Sequence, residues 1–250
     1  MQESIEKSSY HKLVRFIPLD WNRGSKIYKD GKHLIKIPMY SDKEEVQEKA
    51  LKELEEALLY IDEKKIKGVV EVTNLFKENS KTVGYRLVRY KDFKSLHKFK
   101  NRSINLKIQD CKKIMEIFSN FNDYNLRYHD FHPGNILLND KTNELLVCDL
   151  DSCEINNDAE EKNKQLKSAL GLCVQYIYNI YPNDAELILT RSTINVDKNN
   201  CIKEIYDSIG KSNFKESINK LDNIDKRYIL SDKFRMKEEI KDFVRRGYYH

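Results

Sequence analysis

The chain has 250 residues, with 45 basic against 40 acidic side chains and a formal net charge of +5. That near balance is what a solvated Lys/Glu surface produces and gives no argument for a nucleic-acid partner. At 40% hydrophobic residues the chain can bury a sizeable core, and no apolar run approaches the ~20 residues of a membrane helix.

The polar start "MQESIEKSSYHK" lacks the apolar stretch of a signal peptide, so the expected location is cytoplasmic. Cys111, Cys148, Cys153, Cys173 and Cys201 form no CxxC pair, which argues against a zinc site or a disulfide framework. Residues 11–19, "HKLVRFIPL", read as a strand, followed by a turn "DWNRGS" with one glycine, Gly24. "KIYKDGKHLIKIP" reads as a hairpin because Asp30-Gly31 sits between alternating side chains. Ser41 with Glu44 three positions on has the spacing of a capping box. Val46, Ala50, Leu54, Ala57, Leu58 and Ile61 then share one helical face.

"GVVEVTNLF" and "TVGYRLVRY" predict two further strands around the polar turn "KENSK". Beyond about residue 104 the pattern turns helical. "IQDCKKIMEIFSNF" places Ile108, Cys111, Ile114, Met115 and Phe118 on one face. Two short apolar runs, "NILL" and "ELLVCDL", flank the turn "NDKTN" and predict a second hairpin. A long helix follows at 159–181, with further helices suggested at 184–191, 199–220 and 231–247. A strand-rich start and a helical remainder predict an α+β chain in two lobes, 1–90 and 91–250. The terminal "FVRRGYYH" mixes basic and aromatic residues, but a solvated basic helix explains it, and no nucleic-acid partner is expected.

The second hairpin sets oxygen-bearing side chains at its polar ends: Asp130 on the loop leading in, Asn135 before the first strand and Asp149 after the second. Hard divalent cations take such ligands, often one or two carboxylates together with substrate phosphates. A further carboxylate nearby can accept a proton from a hydroxyl nucleophile.

"YHDFHPGNILLND…LLVCDLD" resembles the catalytic and metal loops of the protein-kinase-like superfamily. It is most similar to the small-molecule branch of aminoglycoside and choline-type phosphotransferases and lipopolysaccharide-core sugar kinases. Asp130, His132 and Asn135 have that branch's spacing, and Asp149 follows nineteen positions after Asp130. The resemblance implies a two-lobed fold, with an antiparallel sheet and one main helix in the N-terminal lobe and a mostly helical C-terminal lobe. It implies Asp130 as catalytic base and Asn135 and Asp149 as magnesium ligands, with ATP as phosphoryl donor to a small-molecule or glycan hydroxyl. Asp151 joins the metal or caps a turn; both roles stay open.

Upstream, the resemblance implies Lys36 as the phosphate-contacting lysine and a glutamate of the following helix as its partner, Glu55 first and Glu53 second. Backbone amides of Gly24 and Ser25 would cover phosphate, and Val88, Arg89 and Tyr90 would form the hinge against adenine. The sequence departs from the family at Tyr128, where a histidine is usual, and at Leu150-Asp151, where Phe-Gly is usual. Those departures and the single-glycine turn motivate one alternative, a catalytically silent kinase-like binding module; a protein Ser/Thr kinase is another, against which His132 argues, since protein kinases more often carry Lys there.

Overall fold

The computed structural model describes residues 5–6 and 25–178. The strand expected at 11–19, Gly24, the helices expected beyond 184 and the basic C-terminus lie outside the described residues. Within them the chain is α+β. Strands β1 (Ile5–Glu6), β2 (Ser25–Asp30) and β3 (His33–Pro38) precede helix α1 (Glu44–Lys64), and β4 (Val72–Glu78) and β5 (Lys81–Val88) follow it. These form a five-stranded sheet in the order β1-β4-β5-β3-β2, antiparallel except where β1 runs parallel to β4.

The β2–β3 turn falls where Asp30-Gly31 predicts a hairpin, one residue on, with Gly31 and Lys32 as its two central residues. Asp30 pairs with His33, and Gly31 takes a φ of 58°, which suits the first central position of a tight hairpin turn. The β4–β5 turn holds Asn79 and Ser80 at φ 49° and 66°, the paired positive values that keep a two-residue turn in step with strand twist.

Helix α1 buries Leu51, Leu54, Ala57, Leu58 and Ile61. Val46 and Ala50, also expected on that inner face, are not buried, and Val46 is 50% exposed. The expected capping box does not form. Ser41 Oγ accepts from the Lys43 amide, and Gln47 Oε1 takes the amides of Tyr40 and Ser41 at 2.7 and 3.1 Å. At the other end Lys65, in the left-handed region, returns its amide to the last carbonyls.

The second half begins with β6 (Lys94–Ser95), a 3-10 turn at Leu96–Phe99 and helix α2 (Ile104–Asp123), capped by Ser103. Then come β7 (Leu126–Tyr128), β8 (Ile136–Asn139), β9 (Glu144–Val147), a 3-10 turn at Leu150–Ser152, β10 (Cys153–Ile155) and helix α3 (Ala159–Tyr178). The β8–β9 hairpin pairs Ile136 with Val147, and β10 returns to pair with β7. The second apolar run therefore stops pairing at Val147, earlier than the expected strand to Leu150.

Among the described residues the main core joins α1, α2, α3 and the β8–β9 hairpin through Leu58, Phe118, Leu138, Val147, Leu150 and Leu170, while Ile35 of β3 and Phe76 of β4 form a separate small cluster. Phe118 sits 5.7 Å from the Tyr128 ring and 4.6 Å from Phe131, so aromatic packing anchors the loop that leads to Asp130. Buried polar groups tie α2 down. Asp110 accepts from Arg102 and from the Tyr176 hydroxyl of α3, each at 2.8 Å. Lys107, 2% exposed, donates to the Tyr176 carbonyl at 3.0 Å. No helix among the described residues is long and apolar enough to cross a membrane.

Candidate functional site

Lys36 lies in the middle of β3, opposite Ile27 on one side and Tyr85 on the other. Its close fit depends on Gly84. A Cβ there would stand 2.5 Å from the Lys36 carbonyl oxygen, so glycine lets β5 approach β3 at that point. The side chain is 7% exposed and ends between two carboxylates, Asp149 and Asp151, with which it forms ion pairs. Both partners lie more than a hundred positions away, at separations of 113 and 115 residues.

The chain presents those carboxylates through a tight change of direction after β9. Asp149 sits at φ 64° and ψ 51°, in the left-handed region that a non-glycine residue enters at some cost. Asp151 follows on the 3-10 turn. It accepts from the Tyr85 hydroxyl at 3.1 Å and the Ser25 hydroxyl at 3.4 Å, while its carbonyl accepts from the Tyr40 hydroxyl at 3.0 Å.

Burial opposes charge on Lys36, but the two carboxylates outweigh it and raise its pKa, so the ammonium persists. Burial also opposes ionisation of Asp149, yet the hydrogen bond with Asp151 and the Lys36 ammonium hold it below the ordinary carboxylate range. Asp151 goes the other way: burial and the neighbouring Asp149 push it up to about 6.

Asp130 and Asn135 meet on the preceding loop. The Asn135 amide nitrogen donates to the Asp130 carboxylate at 2.8 Å and to its carbonyl at 3.1 Å. His132 Nδ1 accepts the Gly134 amide at 3.0 Å, and its Nε2 faces Asp130 at 3.6 Å. The hydrogen bond with His132 lowers the Asp130 pKa, and reciprocally raises that of the imidazole. A Cβ on Gly134 would strike the His132 ring at 2.6 Å, so the glycine is what admits the ring. Tyr128 is fully buried, and its hydroxyl donates to the Cys148 carbonyl at 3.0 Å, one residue before Asp149. Asn135 and Cys148 are joined by a backbone bond of 2.8 Å. The base candidate and the metal candidate are thus held on one frame.

A cleft of about 570 Å³ runs from apolar walls at Ile27, Leu34, Val70 and Leu87 to a polar end at Lys36, Asn135 and Asp149. Val88, Arg89 and Tyr90 line it as well. The amides of Val88 and Arg89 are committed to the carbonyls of Glu71 and Lys32, so backbone bonds from these two residues to a ring would run through their carbonyl oxygens. Ser25 is buried, donates its hydroxyl to Asp151 and is not among the residues that line the cleft, whereas Gly24 lies outside the described residues.

Glu55 is elsewhere. Its two oxygens accept from Lys77 at 2.6 Å and Thr82 at 2.7 Å, tying α1 to β4 and β5. The sequence reading joined it to Lys36, but the phase of α1 turns it toward the neighbouring strands. The reading also missed Tyr40, Tyr85 and Gly84 as supports of the site. Tyr85 becomes a candidate only once β5 is known to pair with β3.

Asn135 and Asp149 supply the oxygen donors a hard cation prefers. Among the described residues no group of three or more His, Cys, Asp or Glu side chains is arranged to hold a metal by itself. That donor set suits magnesium, which is commonly completed by substrate phosphates and water. The chain matches no protein-family model and no curated relative.

Proposed function

We propose that the chain is an ATP-dependent phosphotransferase of the two-lobed kinase-like kind, with lobes 1–90 and 91–250, acting on a hydroxyl of a small molecule or glycan. The observation that carries this reading is the meeting of Lys36 with Asp149 across 113 residues, at the polar end of an apolar cleft that Asn135 also lines. An apolar slot ending in one cation and convergent oxygens suits a flat heterocycle joined to phosphates.

In this reading the Lys36 ammonium holds nucleotide phosphate, and Asp130 accepts the proton of the acceptor hydroxyl as its oxygen attacks the terminal phosphorus. The bond from that phosphorus to the bridging oxygen breaks and ADP leaves. Asp130 is held ionised and aimed by Asn135 and His132, so it is ready to accept at neutral pH. Asn135 and Asp149 would hold a magnesium ion, which when bound neutralises phosphate charge.

The test is transfer of label from ATP to a panel of sugars, aminoglycosides and choline with magnesium present. Asp130→Asn should lower transfer by about 10²–10⁴-fold while leaving the unfolding midpoint nearly unchanged. Undiminished transfer by that variant would remove Asp130 from the mechanism. A silent nucleotide-binding module is the second reading, favoured by the ion pairs that already occupy Lys36. It predicts stabilisation by ATP without turnover on any acceptor.

A further inference from the structure

The resemblance assigns the anchoring of the phosphate-contacting lysine to a glutamate of α1, but the first candidate, Glu55, has both oxygens engaged by Lys77 and Thr82, and the second, Glu53, is exposed and faces Lys49. Asp151 stands where such an anchor is needed. One of its oxygens receives Lys36 and the Tyr85 hydroxyl, and the other receives the Ser25 hydroxyl. Its side chain is 11% exposed, against 35% for Asp149. Asp149 lines the cleft, whereas Asp151 lies behind Lys36 and is not among the residues that face it.

A metal ligand must offer an oxygen toward the nucleotide. Asp151 turns its oxygens to Ser25 of β2, Lys36 of β3 and Tyr85 of β5, and shares a hydrogen bond with the Asp149 carboxyl beside it. We propose that Asp151 is the positioning residue for Lys36, doing from the turn after β9 what a helix glutamate would do, and that metal binding falls to Asn135 and Asp149. The inference rests on the phosphotransferase reading for its consequence, but the contact itself is testable without a nucleotide. Tyr85 belongs to the same device: it pairs with Lys36 across the sheet and fixes the carboxylate that receives it. Sheet and anchor are therefore joined at one point, and no movement of α1 is needed to set the lysine.

The test uses the full chain and the variants Asp151→Asn, Asp149→Asn, Glu55→Gln and Tyr85→Phe. Acetylation of Lys36 by acetic anhydride, followed by mass spectrometry, reads the contact directly. Loss of a charge-assisted hydrogen bond should speed it about tenfold in Asp151→Asn. The rate should rise less in Tyr85→Phe and stay at the wild-type value in Glu55→Gln. Affinity for a non-hydrolysable ATP analogue, with and without magnesium, reads the role. Asp151→Asn should weaken it about tenfold in both conditions and keep the gain from magnesium. Asp149→Asn should abolish that gain.

Loss of the magnesium gain in Asp151→Asn would overturn the proposal, as would faster Lys36 labelling in Glu55→Gln. Should Asp151→Asn fail to fold, unchanged Lys36 labelling in Tyr85→Phe would overturn it. If the wild-type chain binds no nucleotide, the phosphotransferase reading falls, and the labelling arm still decides whether Asp151 holds Lys36.

Discussion

Replacing Lys36 by methionine keeps the length of the side chain and removes the cation shared by Asp149 and Asp151. Lys36 and Asp151 are 7% and 11% exposed at the side chain, so little water replaces the lost partner. Breaking a buried ion pair by removing one member costs about 3–5 kcal/mol. The loss has a ceiling, because the variant can protonate a carboxyl. At pH 8 that costs about 6 kcal/mol for a group of ordinary pKa ~3.9, and at pH 5 only about 1.5 kcal/mol.

Asp151 titrates near 6 even with Lys36 present, above its ordinary value. Its contribution therefore favours the fold fully below pH ~4 and is lost as pH rises through about 6, a change of about 3 kcal/mol. Asp149, held low, behaves oppositely: its contribution is present above the ordinary carboxylate value and is lost on acidification. At pH 5 Asp151 mostly carries its proton in both proteins, and only the Lys36–Asp149 contact is missing in the variant.

Lys36→Met should therefore lose about 3–5 kcal/mol at pH 8 and about 1–3 kcal/mol at pH 5. Urea unfolding of the metal-free protein at both pH values measures this. A loss below about 1 kcal/mol at pH 8, as for an exposed pair, would refute the burial of the Lys36–Asp151 pair. Equal losses at the two pH values would refute the titration of Asp151.

Gly84→Ala should cost about 1–3 kcal/mol, because its Cβ meets the Lys36 carbonyl at 2.5 Å and backbone must shift. Thermal unfolding and Lys36 labelling would both report it, and an unchanged midpoint would show that β3 and β5 have room. Tyr128→Phe should cost about 1–3 kcal/mol by leaving the Cys148 carbonyl without its hydroxyl partner. Urea unfolding measures that loss, and under the proposed activity transfer should fall as well, because Asp149 follows Cys148 directly.

Much of the local structure was legible in the sequence. The β2–β3 turn, the β8–β9 hairpin and the cores of α1, α2 and α3 follow from turn chemistry and from periods of 2 and 3.6. Asp130 and Asn135, five positions apart, were also legible as neighbours, because a short loop can bring them together without help from the rest of the chain.

Contacts across the fold were decided otherwise. Helical phase names the face that α1 buries, yet it says nothing about which strand will lie beside Glu55. That choice went to Lys77 and Thr82, and the acid that met Lys36 came from 115 positions away. Residue spacing constrains partners within a few turns of chain. Over a hundred residues, partners are selected by the packing of a common core, which sets β5 against β3 and brings the turn after β9 beneath them. Turn signals and residue period suffice for the three hairpins and the three helices, whereas β6, β7 and β10 exist only through pairing with distant segments. The tertiary structure alone decided that Lys36 would be held by Asp149 and Asp151.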